Sequence, residues 1–344
     1  MAGEFRFTFG PWNIHEGADP FGPAVRESIA FGKKLELYKK LGFDGVQFHD
    51  DDAVPDMNKL GPSEITKQAE QVGKMLADEG LTAEFVAPRL WEDPQTIDGA
   101  YTSNDPKARQ YAKDRSRRCI DIAVALDTPL IVLWLAREGT YIREAKDSKL
   151  ATDRLVEAIN DMLDYNSDIK IAIEPKPNEP MDQAYIPTTG HALALGYLTK
   201  DAKRVGVNIE TAHVILAGLD PSDEMGFALA YEKLYTVHLN DQNGLKFDED
   251  KSFGSVNLRR AFNQVRILDA YDYGKRGEFV GLDVKAMRTQ KAEVATKHLS
   301  NSRTVFFKLV ELARSLDEAK VKKLIADRDY EELDMLIMSH LMGK

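Results

Sequence analysis

The chain has 344 residues, 43% of them hydrophobic and 30% charged, and its 46 basic and 56 acidic residues leave a net charge of −10. This is globular composition, enough for two domains or one α/β barrel, and the acidic balance argues against a nucleic-acid partner. A single cysteine, Cys119, excludes a disulfide framework within the chain and suits a reducing compartment, while no apolar run reaches the roughly 18 residues of a membrane span. The opening stretch, MAGEFRFTFG, lacks the basic-plus-apolar layout of a signal peptide, so a cytoplasmic chain with no membrane partner is expected.

The first β-rich run is FRFTF (5–9). It runs into an aromatic and acidic loop, GPWNIHEGADPFG, where a doubly wound open sheet would carry a glycine-rich phosphate turn. Further strands are predicted at GVQFH (45–49), LTAEFVA (81–87), PLIVLWL (129–135) and IKIAIE (169–174), then RVGVNIE (204–210), LYTVHL (234–239) and GEFVGLD (277–283). Amphipathic stretches such as SEITKQAEQVGKMLADEG and PKARQYAKDRSRRCIDIAVAL lie between them, with apolar residues recurring at three and four. Alternating β and α implies a parallel sheet, and eight units match a (β/α)8 TIM barrel of about 250 residues plus insertions. The barrel is expected over residues 1–310. Residues 311–344 read as a C-terminal helical arm whose apolar face, Leu333, Leu336, Ile337, His340 and Leu341, is expected to pack on a neighbouring subunit.

In such a barrel the chemistry sits at the carboxyl ends of the strands. Read in order, those ends carry Trp12, His49 to Asp52, Trp91, Trp134, Glu174 and Lys176, Glu210 and His213, His238, and Asp283 and Lys285. Carboxylates and imidazoles converging on one mouth would repel or stay desolvated unless a cation coordinates them. Glu174, Glu210, His238 and Asp283 are therefore expected to form one divalent-metal site. Glu210, His213, Asp248 and Asp250 are expected to form a second, bridged by Glu210. Oxygen and imidazole ligation without thiolate suits Mn²⁺, Mg²⁺ or Co²⁺, one or two per subunit. Asp52, three residues past His49, is placed to bind its Nδ1 and fix the tautomer. The Lys176 ammonium is placed to stabilise a developing alkoxide, and three tryptophans at one rim suit the face of a sugar.

The motifs ADPFG, FHDDDAVP, IAIEPKPNEP, VGVNIETAH, LNDQNGLKFDED and LDVKAMRT carry a resemblance. From TFGPW to LDMLIMSHLMG the chain resembles the xylose isomerase family. The resemblance implies a two-metal sugar isomerase that assembles as a homo-oligomer, a dimer or tetramer. By motif it gives His49 a part in ring opening, Asp52 the holding of that imidazole, and Lys176 the polarising of the substrate carbonyl. Trp12 and Trp134 would wall the sugar, Trp91 stands in a phenylalanine's place, and Phe21 would reach a neighbouring subunit's site. Four departures stand out: His238 replaces an aspartate ligand, the loop after Trp12 is one residue shorter, Trp91 replaces phenylalanine, and the arm is shortened. The first expectation is aldose–ketose isomerisation by a 1,2-hydride shift after ring opening. The alternative is the catalytic α subunit of a C-glycoside deglycosidase, a carbon–carbon lyase acting on 3-oxo-C-glucosides with a small β-subunit partner. A sugar or glycoside is the expected small-molecule substrate in either case.

Overall fold

The computed structural model describes residues 5–343; the first four residues of the N-terminal segment and Lys344 of the arm lie outside the described residues. Eight strands, β1 (Phe7–Phe9), β2 (Gly45–His49), β3 (Thr82–Ala87), β4 (Leu130–Trp134), β5 (Lys170–Glu174), β6 (Val205–Glu210), β7 (Leu234–Leu239) and β8 (Val280–Leu282), close into a barrel. Every neighbouring pair is parallel, and β8 returns to β1. The outer strands are shorter than predicted. Gly277, in the left-handed region at φ 100°, holds the chain in a turn before β8, where an extended run from 277 is expected from the sequence.

The surrounding helices are α1 (Phe31–Leu41), α2 (Asp50–Ala53), α3 (Pro62–Asp78), α4 (Pro106–Ala125), α5 (Ser148–Tyr165) and α6 (Thr189–Leu198). They continue with α7 (Thr211–Leu216), α8 (Pro221–Ala230), α9 (Leu258–Ala270), α10 (Lys297–Ser315), α11 (Glu318–Asp327) and α12 (Tyr330–Leu341). Each long helix lays an apolar stripe on the barrel; in α3 the buried residues Ile65, Ala69, Val72 and Leu76 recur at the helical period. Caps set the starts: Asp105 accepts from Lys107 N, Asp147 from Leu150 N and Asp220 from Ser222 N, each satisfying a free amide of a first turn.

The barrel interior holds one polar knot. Glu84 on β3 takes hydrogen bonds from Gln47 Nε2 (3.1 Å), from Thr236 Oγ1 (2.5 Å) and from Thr8 Oγ1. Four strands thus meet on one buried carboxylate, satisfying a group that would otherwise be costly to bury.

In the C-terminal segment the helices begin elsewhere than expected, and the predicted apolar face also has contacts within the chain. Helix α10 runs unbroken through residue 310 to Ser315. The face predicted to meet a neighbour packs on the chain itself: Ile337 is buried, Leu333, Leu336 and Leu341 lie against the same core, and His340 Nε2 is 2.7 Å from Leu312 O. The reason is geometric. The short loop between α11 and α12 turns α12 back against α11, where its stripe is partly covered by the chain's own core. Among the described residues no helix is long and apolar enough to cross a membrane.

Candidate active site

Parallel register places the polar strand ends at one rim. Trp134 at the end of β4 pairs with Glu174 at the end of β5, and Glu210 at the end of β6 pairs with His238 on β7. Gly281 on β8 pairs with His238; a Cβ there would stand 2.3 Å from Gln47 Nε2 and 3.0 Å from the His238 ring, so the glycine leaves the imidazole its space. The rim opens into a cavity of about 500 Å³. Trp12, His49, Trp91, Trp134, Glu174, Lys176, His213, His238, Asp248, Asp250 and Asp283 all line it.

Two triads stand side by side. Glu174, His238 and Asp283 offer ligand atoms within 4.8 Å of one another, as do Glu210, His213 and Asp248. Between the two imidazoles lies Glu174: its Oε1 is 3.4 Å from His213 Nδ1 and its Oε2 is 3.4 Å from His238 Nδ1. Glu210, expected from the sequence to bridge two cations, belongs to the second triad and has local partners of its own. Glu210 caps α7, one oxygen accepting from the backbone N of His213 and the other from Asn240 Nδ2. Asp250 stands apart from the second triad, its Oδ2 held 2.8 Å from Lys285 Nζ.

A test of fit comes from the orphaned polar atoms. His213 Nδ1, both ring nitrogens of His238 and Asp248 Oδ1 are buried without a hydrogen-bond partner. Unsatisfied buried groups are costly, and four converging on one pocket have the character of ligands aimed at a common ion. The donor set is carboxylate and imidazole without thiolate, the chemistry of Mn²⁺, Mg²⁺ or Co²⁺. The residues fit a divalent cation.

The electrostatics are those of a tightly coupled cluster. Burial would lower the His238 pKa, but the Glu174 carboxylate and then Asp283 outweigh it and push it up to about 9. Burial likewise opposes ionisation of Glu174 and Asp248, yet His238 holds the first below its ordinary value, and Lys176 and His213 hold the second well below. Glu210 and Asp250 go the other way, raised by burial and then by neighbouring carboxylates. Lys176 Nζ sits 2.9 Å from Asp248 Oδ2, 3.4 Å from Glu179 Oε2 and 5.2 Å from the centre of the Trp134 ring. Burial lowers the Lys176 pKa, but these carboxylates, Asp248 first, raise it above the ordinary lysine value. It is a persistent cation beside the triads.

The opposite wall is aromatic. The His49 ring centre lies 4.1 Å from that of Trp12 and 5.1 Å from that of Trp91, and Trp91 meets Trp134 edge-on at 4.6 Å. Trp12 Nε1 donates to Asp283 Oδ1 (2.9 Å), tying wall to triad. His49 Nδ1 lies 2.9 Å from Asp52 Oδ2. Phe21 stands outside the cavity, 80% exposed, and meets Phe247 edge-on at 5.6 Å.

Two groups that support the site, Asn208 and Arg89, were not singled out from the sequence. Asn208 donates to Glu174 Oε2 at 2.7 Å, and Arg89 donates to Asp51 Oδ1 (2.7 Å), Asp52 Oδ1 (3.1 Å) and His49 Nδ1 (2.7 Å). The signals were present: Asn208 shares a strand face with Glu210 two residues on, and three successive carboxylates at 50–52 demand a cation.

Residues 35–278 match the family model described as xylose isomerase-like TIM barrel. The xylose isomerase of Thermus thermophilus is 35% identical over 329 residues, 94% of this chain and 84% of that one. Among solved structures, a D-tagatose 3-epimerase-like protein superposes with a TM-score of 0.66 at 15% identity, covering 90% of this chain and 98% of that one. The 3-keto-D-glucoside 4-epimerase of E. coli gives 0.63 at 14%, covering 88% and 100%. At those identities the two structures share the fold with this chain.

Proposed function

Because the chain belongs to the xylose isomerase-like TIM barrel family, we propose that it is a divalent-metal-dependent enzyme that interconverts an aldose and a ketose after opening the sugar ring. The observation that carries this reading is the pair of buried triads with their orphaned imidazole nitrogens, set beside Lys176 and facing an aromatic wall. Glu174, His238 and Asp283 would hold one cation, and Glu210, His213 and Asp248 a second, with Asp250 close by. A bound divalent cation supplies Lewis-acid polarisation of sugar oxygens. Lys176, a fixed positive charge, stabilises negative charge developing on the carbonyl oxygen. Trp12, Trp91 and Trp134 stack on the sugar's apolar face and exclude water, which strengthens each of these interactions. His49 faces the ring from the same wall, with Asp52 and Arg89 both at its Nδ1. The exposed Phe21 supports a homo-oligomer in which that side chain reaches a neighbour's cavity.

A second reading is kept for one observation: the imidazole of His238 in the first triad, paired with a cavity of about 500 Å³, within the size range that holds drug-like ligands. That volume leaves room for an aglycone, as the α subunit of a C-glycoside deglycosidase with a small partner chain would need.

The deciding experiment uses the purified chain, stripped by a chelator and reloaded with Mn²⁺, Mg²⁺ or Co²⁺, on C2-deuterated aldoses and, with the product of a neighbouring gene added as the small partner chain, on a 3-oxo-C-glucoside. Turnover and thermal stability should fall together on stripping and return together on reloading, since a ligand of the folded state stabilises it by mass action. Ketose that retains the deuterium establishes the isomerase. Silence on free sugars with aglycone release establishes the second reading, and turnover that survives complete metal removal sinks both.

A further inference from the structure

His49 Nδ1 has two claimants. Asp52 Oδ2 lies 2.9 Å away and asks for a proton on that nitrogen; Arg89 Nη2 lies 2.7 Å away with a hydrogen directed at it and asks for a lone pair. One ring nitrogen can answer only one of them. A guanidinium has five donors, no acceptor and no accessible neutral form, so it cannot change roles. Asp52 can do without the imidazole. Its Oδ2 accepts from the backbone N of His49 at 3.1 Å and its Oδ1 accepts from Arg89 Nη2 at 3.1 Å, and the guanidinium charge lies against carboxylate and imidazole alike. Arg89 is itself held in place. Nε donates to Asp51 Oδ1 at 2.7 Å, Nη1 reaches Glu92 Oε1 at 3.3 Å, and its backbone N donates to Asp50 Oδ1 at 3.2 Å. Asp50 in turn is clamped by buried Arg115, with both bonds at 2.7 Å.

We propose that Arg89 is the positioning residue for His49: its guanidinium fixes the imidazole with a lone pair on Nδ1 and the hydrogen on Nε2, so that His49 meets the substrate as a hydrogen-bond donor. Nε2 has no hydrogen-bond partner among the described residues, and the ring that carries it lines the cavity between Trp12 and Trp91. A donor there suits an oxygen with free lone pairs, such as the ring oxygen of a cyclic sugar, and does not suit the removal of a proton from carbon. This last step rests on the isomerase reading; the tautomer itself does not.

The experiment has one arm for each. Histidine-selective ¹⁵N labelling of the full chain reports which ring nitrogen carries hydrogen, with the His49 signals identified by their loss in His49→Gln. The wild type should show hydrogen on Nε2. Arg89→Met, which removes the donor, should move it to Nδ1 beside Asp52, and Arg89→Lys, whose ammonium also only donates, should restore the wild-type tautomer. Hydrogen on Nδ1 in the wild type, or one tautomer in all three proteins, overturns the proposal; a merely structural role for Arg89 would shift the melting temperature and leave the tautomer alone. For the second arm, Arg89→Met should lower kcat on a ring-forming aldose by roughly 10-fold or more, at the low end of what positioned proton donors contribute, and spare a triose too short to close a ring. Equal losses on both sugars overturn the donor role. A wild type that turns over no free sugar removes the isomerase reading and leaves the labelling arm to decide.

Discussion

On the proposed isomerase reading, Lys176 is the side chain on which the chemistry would depend most directly. It is buried, within 4 Å of two carboxylates, and held cationic by Asp248 before any other neighbour. A fixed charge of this kind acts on the transition state without having to reorganise. Lys176→Met keeps most of the volume and removes the charge. Turnover should fall by roughly 10²–10³, the scale seen for removing one oxyanion-stabilising group, with KM changed far less. Metal content by mass spectrometry should stay near wild type, because Lys176 supplies no ligand atom. Unchanged turnover at normal metal content would mean the lysine only neutralises Asp248.

At the scale of elements, the C-terminal helix shows that an apolar pattern does not name its partner. The three-four spacing of Leu333, Leu336, Ile337 and Leu341 does make an apolar stripe, but the stripe closes on the chain's own core, while Met335 and Met338 stay exposed. Periodicity says that a face is buried and not against what. Ile337→Ala should therefore cost roughly 2–5 kcal/mol of folding stability, as buried large-to-small changes do. Met338→Ala should stay within about 0.5 kcal/mol. Urea titration at low protein concentration separates the two; a neutral Ile337→Ala would return the stripe to a neighbouring subunit. The barrel was legible for the complementary reason, since its strands alternate with helices in a way few other folds allow. Much of the cavity lining was legible too, because strand ends in such a barrel share one rim. What the sequence did not encode was the hydrogen-bond arrangement within the cluster. Whether Glu210 or Glu174 lies between the imidazoles depends on Glu210 capping α7, and Asp250 turns to Lys285. Both are local hydrogen-bond choices that spacing does not encode. Arg89 was missed because its partners lie 37 to 40 residues back along the chain.

At the scale of the whole molecule, His298 joins the last barrel helix to the first loop. Its Nε2 donates to Asn13 O at 2.9 Å, and Asn13 Nδ2 in turn donates to Asp283 Oδ1 (2.9 Å) and Val284 O (3.0 Å). The other ring nitrogen, Nδ1, is buried without a partner, so a proton placed there finds neither water nor an acceptor. Burial is accordingly the main cause that lowers the His298 pKa from 6.5 to about 4, with His15 and Arg26 adding to it against the Asn13 bond. The sign follows from which state takes up the proton. Above the unfolded value both states hold a neutral ring and the closure is at full strength. As the pH falls from 6.5 towards 4, the unfolded chain binds a proton that the folded one refuses, and stability drains away; below the folded value the loss stops. At about 1.4 kcal/mol per unit, the shift corresponds to about 3 kcal/mol. His298→Gln can keep a donor to Asn13 O and has nothing to titrate. Its deficit relative to wild type, measured by denaturant unfolding at pH 7, 5.5 and 4, should shrink by about that amount across the window. Parallel stability curves over the same range would show that the imidazole takes up its proton as readily in the folded protein as in the unfolded chain, and that the tie between α10 and the first loop is not what acid weakens.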